Sequence, residues 1–409
     1  MKLADTTTQC CIAGGGPAGM MLGLLLARGG VDVVVLEKHV DFFRDFRGDT
    51  IHPSTFELMH ELGLLNEFLK VPHQEISTFT AVFNSTSIKI VDLSHLKVAK
   101  PVIGMMPQWD FLKFVETQAS RYPSFHLMMN AKATDIIKEN GRVTGLTVET
   151  KEGTIQVRAD IVIGADGRHS VIRQKAGLKV IAAGVPIDVL WLRVSREASD
   201  PGQILGRFIG NKLMVMLDRE TYWQCAYVIK KGGYETIKQA GLEAFRNNLV
   251  EAAPFLADRT SDIKSWDDVK LLSVDVDHLE TWYTDGLLCI GDAAHAMSPV
   301  GGVGINLAIQ DAVAAANILY ASLKEKKKPG TDLLAQVQKR RTLATKVIQG
   351  MQVFMHNKIM IKNLDKSAST KPPLFLRLIG IFPILRRIPA WIIGMGVRPE
   401  HVKTPEVLI

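Results

Sequence analysis

Several kinds of chemistry are missing from this chain. It has only 4 cysteines in 409 residues. Cys10, Cys11, Cys225 and Cys289 lie in apolar, strand-like contexts without metal-ligand spacing, and a bridge between the adjacent Cys10 and Cys11 is geometrically unfavourable. A disulfide framework is therefore not expected, and a reducing, cytoplasmic compartment fits best. No His/Cys cluster offers three or four zinc ligands. No Gly-x-Ser-x-Gly elbow is present, so a Ser-His-Asp reading of His295 lacks its nucleophile. Low-complexity tracts and fixed-period repeats are absent, which sets aside disordered and solenoid classes. The start, MKLADTTTQCCIAGGG, lacks the charged, apolar and small-residue pattern of a secretory signal.

A concentrated basic patch is also missing. The formal net charge is +7, but Lys and Arg are dispersed apart from Lys326-Lys327-Lys328, which reads as a solvated loop, so nucleic acid is not an expected partner. The stretch 372–396 is different, mixing bulky apolar residues with Arg377, Arg386 and Arg387. Pro383 and Pro389 interrupt it, which argues against a spanning helix. It is read as a segment packed over the core, with a peripheral membrane contact as the alternative.

What is present is an α/β chain long enough for two domains, since single cores tend to split beyond about 250–300 residues. An apolar strand at 9–12, a glycine turn at 14–19, an apolar helix at 20–28 and a second strand at 31–36 make a βαβ start. Farther on, the pattern predicts a helix over 109–121, a strand over 125–129, a hairpin turning at Glu139-Asn140-Gly141 and a strand over 159–164. From about 185 to 231 it changes to β-rich alternation with a turn at Gly210-Asn211. A buried strand at 287–290 and an alanine-rich helix over 304–323 return to the first type. The expected organisation is a Rossmann-type FAD-binding domain, glutathione reductase-like in its βαβ unit, assembled from 1–75, 101–180 and 271–345. A substrate-binding β-sheet domain (76–100 and 181–270) is inserted in it, and a helical, apolar C-terminal segment (346–409) follows.

Two motifs carry chemistry. Gly14-Gly15-Gly16-Pro17-Ala18-Gly19 satisfies G-x-G-x-x-G between a strand and a helix, where glycines bring backbone N–H groups and the helix dipole against a pyrophosphate. Gly14, Gly16, Pro17, Ala18 and Gly19 are the candidate contacts. Glu37, at the end of the second strand and followed by Lys38, can accept both ribose hydroxyls and repels a 2′-phosphate, which selects FAD or NAD at this site. The second motif is Gly291-Asp292-Ala293-Ala294-His295, which leads through Ser298-Pro299-Val300-Gly301-Gly302-Val303 into the alanine-rich helix. Asp292 can anchor a polyol hydroxyl, and the glycine-rich helix start at Gly304, Ile305 and Asn306 presents N–H groups that favour an anionic reduced flavin. This decides for FAD.

With these motifs and ADGRHSVIR (Ala165 to Arg173), the sequence resembles the flavoprotein aromatic hydroxylases typified by para-hydroxybenzoate hydroxylase, over about residues 8 to 345. The resemblance implies that Asp292 holds the ribityl chain, that Gly304, Ile305 and Asn306 lie against the pyrimidine edge, and that Pro299 borders flavin C4a. It implies that Asp166 lies near the pyrophosphate, with a helix-capping role as the alternative, and that Arg47 and Gln108 are further FAD contacts. Val303 stands where many relatives have Gln. Neither His52 nor His295 is assigned as an acid or base. No second glycine motif exists for NADH or NADPH, consistent with a reductant that binds transiently.

The implied activity is an NAD(P)H- and O2-dependent monooxygenation of an aromatic or other electron-rich, fairly apolar small molecule through a flavin C4a-hydroperoxide. Leu190, Leu192, Met214, Met216 and Tyr227 are the candidate pocket wall. Two alternatives stay open: a flavin-dependent reductase or dehydrogenase acting on a quinone or polyene, and a non-catalytic flavin-binding redox sensor.

Overall fold

The computed structural model describes residues 5–43, 49–201, 206–364 and 372–407. The strand Thr6–Ala13 enters the glycine turn and the helix Pro17–Arg28, and the chain returns in parallel through Val33–Glu37. Val33 to Leu36 are all buried, so both faces of the sheet are covered here and the strand must be continuously apolar. The sheet extends in parallel on one side to Phe125–Met129, and on the other through Gly153–Gly164 to Leu287–Cys289. Ala13 pairs with Leu36 and with Gly164, and Gly164 pairs with Cys289. The turns that follow these strands therefore open at one edge of the sheet, although more than 270 residues separate the first from the last.

The expected hairpin joins Lys132–Glu139 to Arg142–Thr150. Asn140 and Gly141 have φ of 49° and 84°, the two positive values that a tight hairpin turn of the favoured hand requires.

A second, seven-stranded sheet runs in the order Lys270–Ser273, Ile187–Ser195, Tyr222–Lys230, Lys212–Asp218, Gly206–Ile209, Thr78–Phe83, Thr86–Asp92. The helix Leu242–Ala252, absent from the sequence reading, packs on one of its faces through Phe245 and Leu249. Two expected boundaries move. Lys270–Ser273 pairs with Ile187–Ser195, so a division at 270/271 would cut a strand of this sheet from its neighbour. The helix Thr331–Met355 runs unbroken across 345/346, because nothing in that stretch breaks a helix.

Among the described residues, Val300–Lys324 is the one stretch long and apolar enough to cross a membrane, and 72% of its apolar window is buried inside the protein. It is the core helix Gly304–Lys324, packed against Pro17–Arg28. After Met355 come a π-helical turn, His356–Met360, and the short helices Leu374–Ile381 and Arg387–Gly394. The tail then runs back over the first domain: Asn317 donates to the His401 carbonyl at 2.8 Å, and Val407 donates to the Arg28 carbonyl at 2.9 Å.

Asp311 of the core helix is fully buried. It accepts from the Gly291 N–H at 3.0 Å, from His295 Nε2 at 2.5 Å and from Arg341 Nε at 2.8 Å. Burial alone would raise this carboxyl, but His295 and Arg341 outweigh it and hold Asp311 below the ordinary carboxylate range. Removing one member of a buried charge network leaves the others uncompensated. Asp311→Ala is expected to lower stability by about 3–5 kcal/mol, read by the urea unfolding midpoint at pH 7. A carboxylate depressed on folding contributes above its unfolded pKa and loses that contribution as pH falls through its folded value. The gap between wild type and variant should therefore shrink as the pH drops below about 4.

Candidate functional site

The glycine turn is built by contact distance. Gly14 has φ +113°, and a Cβ there would lie 2.3 Å from the Ala165 carbonyl oxygen; one at Gly19 would lie 2.0 Å from the Gly14 carbonyl oxygen. These two glycines let three chain segments meet. A Cβ at Gly16, by contrast, would touch nothing within 4 Å. Gly16 is the extended N-cap of Pro17–Arg28, without a side-chain cap. The first-turn N–H groups of this helix, those of Ala18 and Gly19 among them, have no partner within the helix and face outward with its positive dipole end. Pro17 occupies N1, where its missing N–H costs nothing. An anion fits this opening.

Glu37 accepts from the Gly15 N–H at 3.0 Å and from the His39 N–H at 3.0 Å. Both carboxylate oxygens are thus oriented beside the turn. Lys38 is exposed.

The second motif meets the first through small residues. Gly291 has φ +59°, and a Cβ on it would lie 3.2 Å from Ala18 and 3.2 Å from Ala308, so the starts of Pro17–Arg28 and Gly304–Lys324 converge on one glycine. Two positive helix ends at one sheet edge suit a cofactor with a phosphate at one end and an anion-forming ring at the other. Asp292 is half-buried, with Arg168 Nη2 3.7 Å away. Asp166 accepts from Ser170 Oγ at 2.5 Å and from the Ile172 N–H at 3.2 Å. Burial raises its pKa and those bonds oppose the rise. The capping alternative describes this carboxylate, and Arg168 is the member of the turn whose side chain reaches toward Asp292.

The loop 298–306 is held from three sides. Gly301 and Gly302 have φ of 82° and 62°, and a Cβ at Gly302 would meet Thr50 Oγ1 at 2.4 Å. Asn306 Oδ1 accepts from the His52 N–H and from Thr55 Oγ1, each at 2.8 Å, while its Nδ2 donates to the Thr50 carbonyl at 2.9 Å. The Asn306 side chain therefore ties the loop to the segment 50–55 rather than projecting toward a ring. The first turn is uncapped, so the backbone N–H groups of Gly304, Ile305 and Asn306 remain as donors at this helix start. Gln352 donates to the carbonyls of Ser298 and Val300, both at 2.9 Å, and Ser298 Oγ pairs with His356 Nε2 at 2.9 Å. Pro299 is half-buried at the start of the turn so fixed. Val303 turns inward onto Leu307 and Ile348.

Gln352, His356 and Arg168 were missed by sequence reasoning. Arg168 sits inside a quoted motif, but nothing local marks Gln352 or His356, because their roles arise from packing. Burial lowers His356 and His52 to about 4, so both rings are neutral at pH 7. Neutral His52 donates from Nδ1 to the Ile393 carbonyl at 2.6 Å.

Gln108 opens the helix Gln108–Ala119, and its N–H donates to the carboxylate of Asp49. Burial pushes Asp49 up to about 6 against the pull of Arg219, that N–H, Gln224 and Arg193. Arg219 is ion-paired with Asp49 and donates to Gln224 at 3.0 Å. This cluster joins the segment before Thr50 to the second sheet. Arg47 lies outside the described residues.

The expected pocket wall needs correction. Leu190 and Met214 both pair with Tyr227, and Leu192 and Met216 both pair with Cys225, so the five residues share one face. That face is buried against Phe245 and Leu249 of Leu242–Ala252. Strand neighbours alternate sides, and the opposite face carries Val189, Trp191, Val215, Ala226 and Val228, clustered with Val300 of the flavin loop. Both faces are apolar, so alternation left the phase undetermined until the helix claimed one of them.

Comparison with known proteins agrees with this geometry. The FAD binding domain family matches residues 7–351. The 6-methylpretetramide 4-monooxygenase of Streptomyces rimosus is 31% identical over 386 residues, covering 93% of this chain and 92% of that protein. The para-nitrophenol 4-monooxygenase of Pseudomonas sp. (strain WBC-3) is 24% identical over 326 residues, covering 78% and 79%. Among solved structures, the anhydrotetracycline hydroxylase from Streptomyces rimosus superposes with a TM-score of 0.76 at 20% identity, covering 96% of this chain and 77% of that one. The p-nitrophenol 4-monooxygenase from Pseudomonas putida does so at 0.74 and 20% identity, covering 94% and 97%. Two helix starts converging on Gly291, a carboxylate at Glu37 beside the first glycine turn and a family match across most of the chain lead to one assignment: the protein belongs to the FAD-binding family of aromatic hydroxylases.

Proposed function

We propose that the protein is a monooxygenase that uses NADPH or NADH and O2 to hydroxylate an aromatic or other electron-rich, fairly apolar small molecule. The observation that carries this reading is the apolar sheet face of Val189, Trp191, Val215, Ala226 and Val228, turned toward Val300 of the loop that leads into the second helix start. FAD, when bound, supplies hydride acceptance and dioxygen activation. The chain's own part is to hold, orient and keep dry. Gly14, Gly16, Pro17, Ala18 and Gly19 would frame the phosphate end, Glu37 the ribose and Asp292 the ribityl chain, with Lys38, Asp166 and Gln108 at its margins and Arg47 a further contact on the sequence resemblance alone. Backbone N–H groups at Gly304, Ile305 and Asn306 would stabilise negative charge on the ring, the Asn306 side chain holds that helix start, and Pro299 would border the reacting side.

The cofactor unit falls within 1–75, 101–180 and 274–355. The substrate unit falls within 76–100 and 181–273, and the described residues 356–364 and 372–407 make a helical covering segment. The compartment is a reducing one, in keeping with four buried thiols.

Three tests follow. Purified FAD-loaded protein, given NADH or NADPH and a panel of phenols, quinolones and quinones under labelled dioxygen, should yield a product carrying one labelled oxygen atom. Turnover of a quinone without label would instead establish the reductase alternative. Asp292→Ala should weaken FAD retention by roughly tenfold or more, as expected for a lost charged hydrogen bond, measured as bound-flavin absorbance after desalting; unchanged retention would remove Asp292 from the site. Trp191→Ala should change KM or product ratio about tenfold for the folded fraction. Met216→Ala, on the other face, should cost about 2–5 kcal/mol of stability with unchanged kcat/KM for the folded fraction. The reverse pattern would return the pocket to the face first expected.

A further inference from the structure

The segment after the described helical turn at 356–364 is built inside out. In Leu374–Ile381 the one buried residue is Leu376, and in Arg387–Gly394 the buried residues are Ala390 and Gly394. The inner side is kept small: a Cβ at Gly394 would lie 2.7 Å from Leu96, and one at Gly380 would lie 3.2 Å from Ile88. The large side chains point outward. Leu374 is 69% exposed, Ile381 and Ile384 are each 66% exposed, and Ile388 is 61% exposed. Phe382 and Trp391 join them, about half exposed. A helix stabilised only by its own core places these sizes the other way round, and a contiguous apolar surface of this kind marks a contact site.

The charges around it choose the partner. From 366 to 399 the chain contains Lys366, Lys371, Arg377, Arg386, Arg387 and Arg398, and neither Asp nor Glu. Arg386 lies beyond Leu374–Ile381 and closes the end of that helix by donating to the carbonyls of Ile379 and Gly380 at 3.1 and 2.7 Å. Arg377 and Arg387 are exposed beside the apolar residues. A two-fold contact between copies would set this face against itself, arginine against arginine, with no carboxylate in the segment to relieve it. An anionic lipid surface answers both features. Acyl chains accept the aliphatic side chains, Trp391 suits the headgroup boundary, and the arginines reach phosphate while their stems stay on apolar surface. The two prolines keep each helix too short to span.

We propose that this face is a peripheral docking surface for an anionic lipid bilayer. Its inner side, through Leu376 and Ile379, packs into the same cluster as Val300 and Trp191, so a docked protein holds the lipid surface one helical layer from the flavin-side sheet face. The proposal stands apart from the hydroxylase reading, since its test measures binding rather than turnover.

The test is co-sedimentation of the FAD-loaded full chain with vesicles of phosphatidylcholine alone or mixed with phosphatidylglycerol. Binding is expected to the mixed vesicles, weakening with added salt. Arg377→Gln with Arg387→Gln should lower the partition coefficient roughly 30-fold, at about 1 kcal/mol for each basic residue near the surface. Ile384→Ser with Ile388→Ser should lower it even at low salt, with flavin absorbance intact in both variants. No binding of the wild type to anionic vesicles at low salt would overturn the proposal. So would self-association abolished by Ile384→Asp, which would assign the face to a second copy.

Discussion

One carboxylate sets the geometry on which the site depends. Asp311 reaches from the core helix to the Gly291 N–H, the His295 ring and the Arg341 guanidinium, and so fixes the second glycine turn relative to the helix that follows it. The neighbouring contact is tight: a methyl group on Gly291, whose φ is +59°, would press to 3.2 Å from both Ala18 and Ala308. A charge network inside and a close-packed trio of small residues outside hold the two helix starts together. Neither works alone, because the network fixes rotation while the small residues set distance.

The architecture around this point divides labour between the sheets. The parallel sheet brings strand ends from distant parts of the chain into register, which is why backbone groups rather than side chains do most of the holding. The antiparallel sheet offers two apolar faces and gives one to its own helix, while Val300 and the C-terminal segment, through Ile359, Met360 and Leu376, share the other. Asp49 and Arg219 bridge the two units with a buried ion pair that Gln108 and Gln224 surround.

Much of the first unit was legible because its requirements are local. A turn that admits no Cβ must be glycine, a parallel strand covered on both sides must be continuously apolar, and Asn140-Gly141 can adopt two positive φ values where most pairs cannot. The pocket face was not legible, since Met214 and Val215 are equally apolar and only the packing of Phe245 distinguishes them. The side-chain task of Asn306 was not legible either: its amide satisfies three partners in the segment 50–55, far earlier in the chain. Asp166 and Gln352 teach the same lesson: a polar residue near a cofactor turn is often needed by the turn itself.

His52 links two regions with different tasks. Its N–H is held by Asn306 at the start of the core helix, and its ring donates to the carbonyl of Ile393 in the terminal apolar helix. The ring is neutral at physiological pH, so ordinary changes in acidity leave this strut intact. Any shift of the terminal helix must either break that bond or pull on the loop beside the cofactor, which makes the outermost helix and the innermost turn parts of one lever.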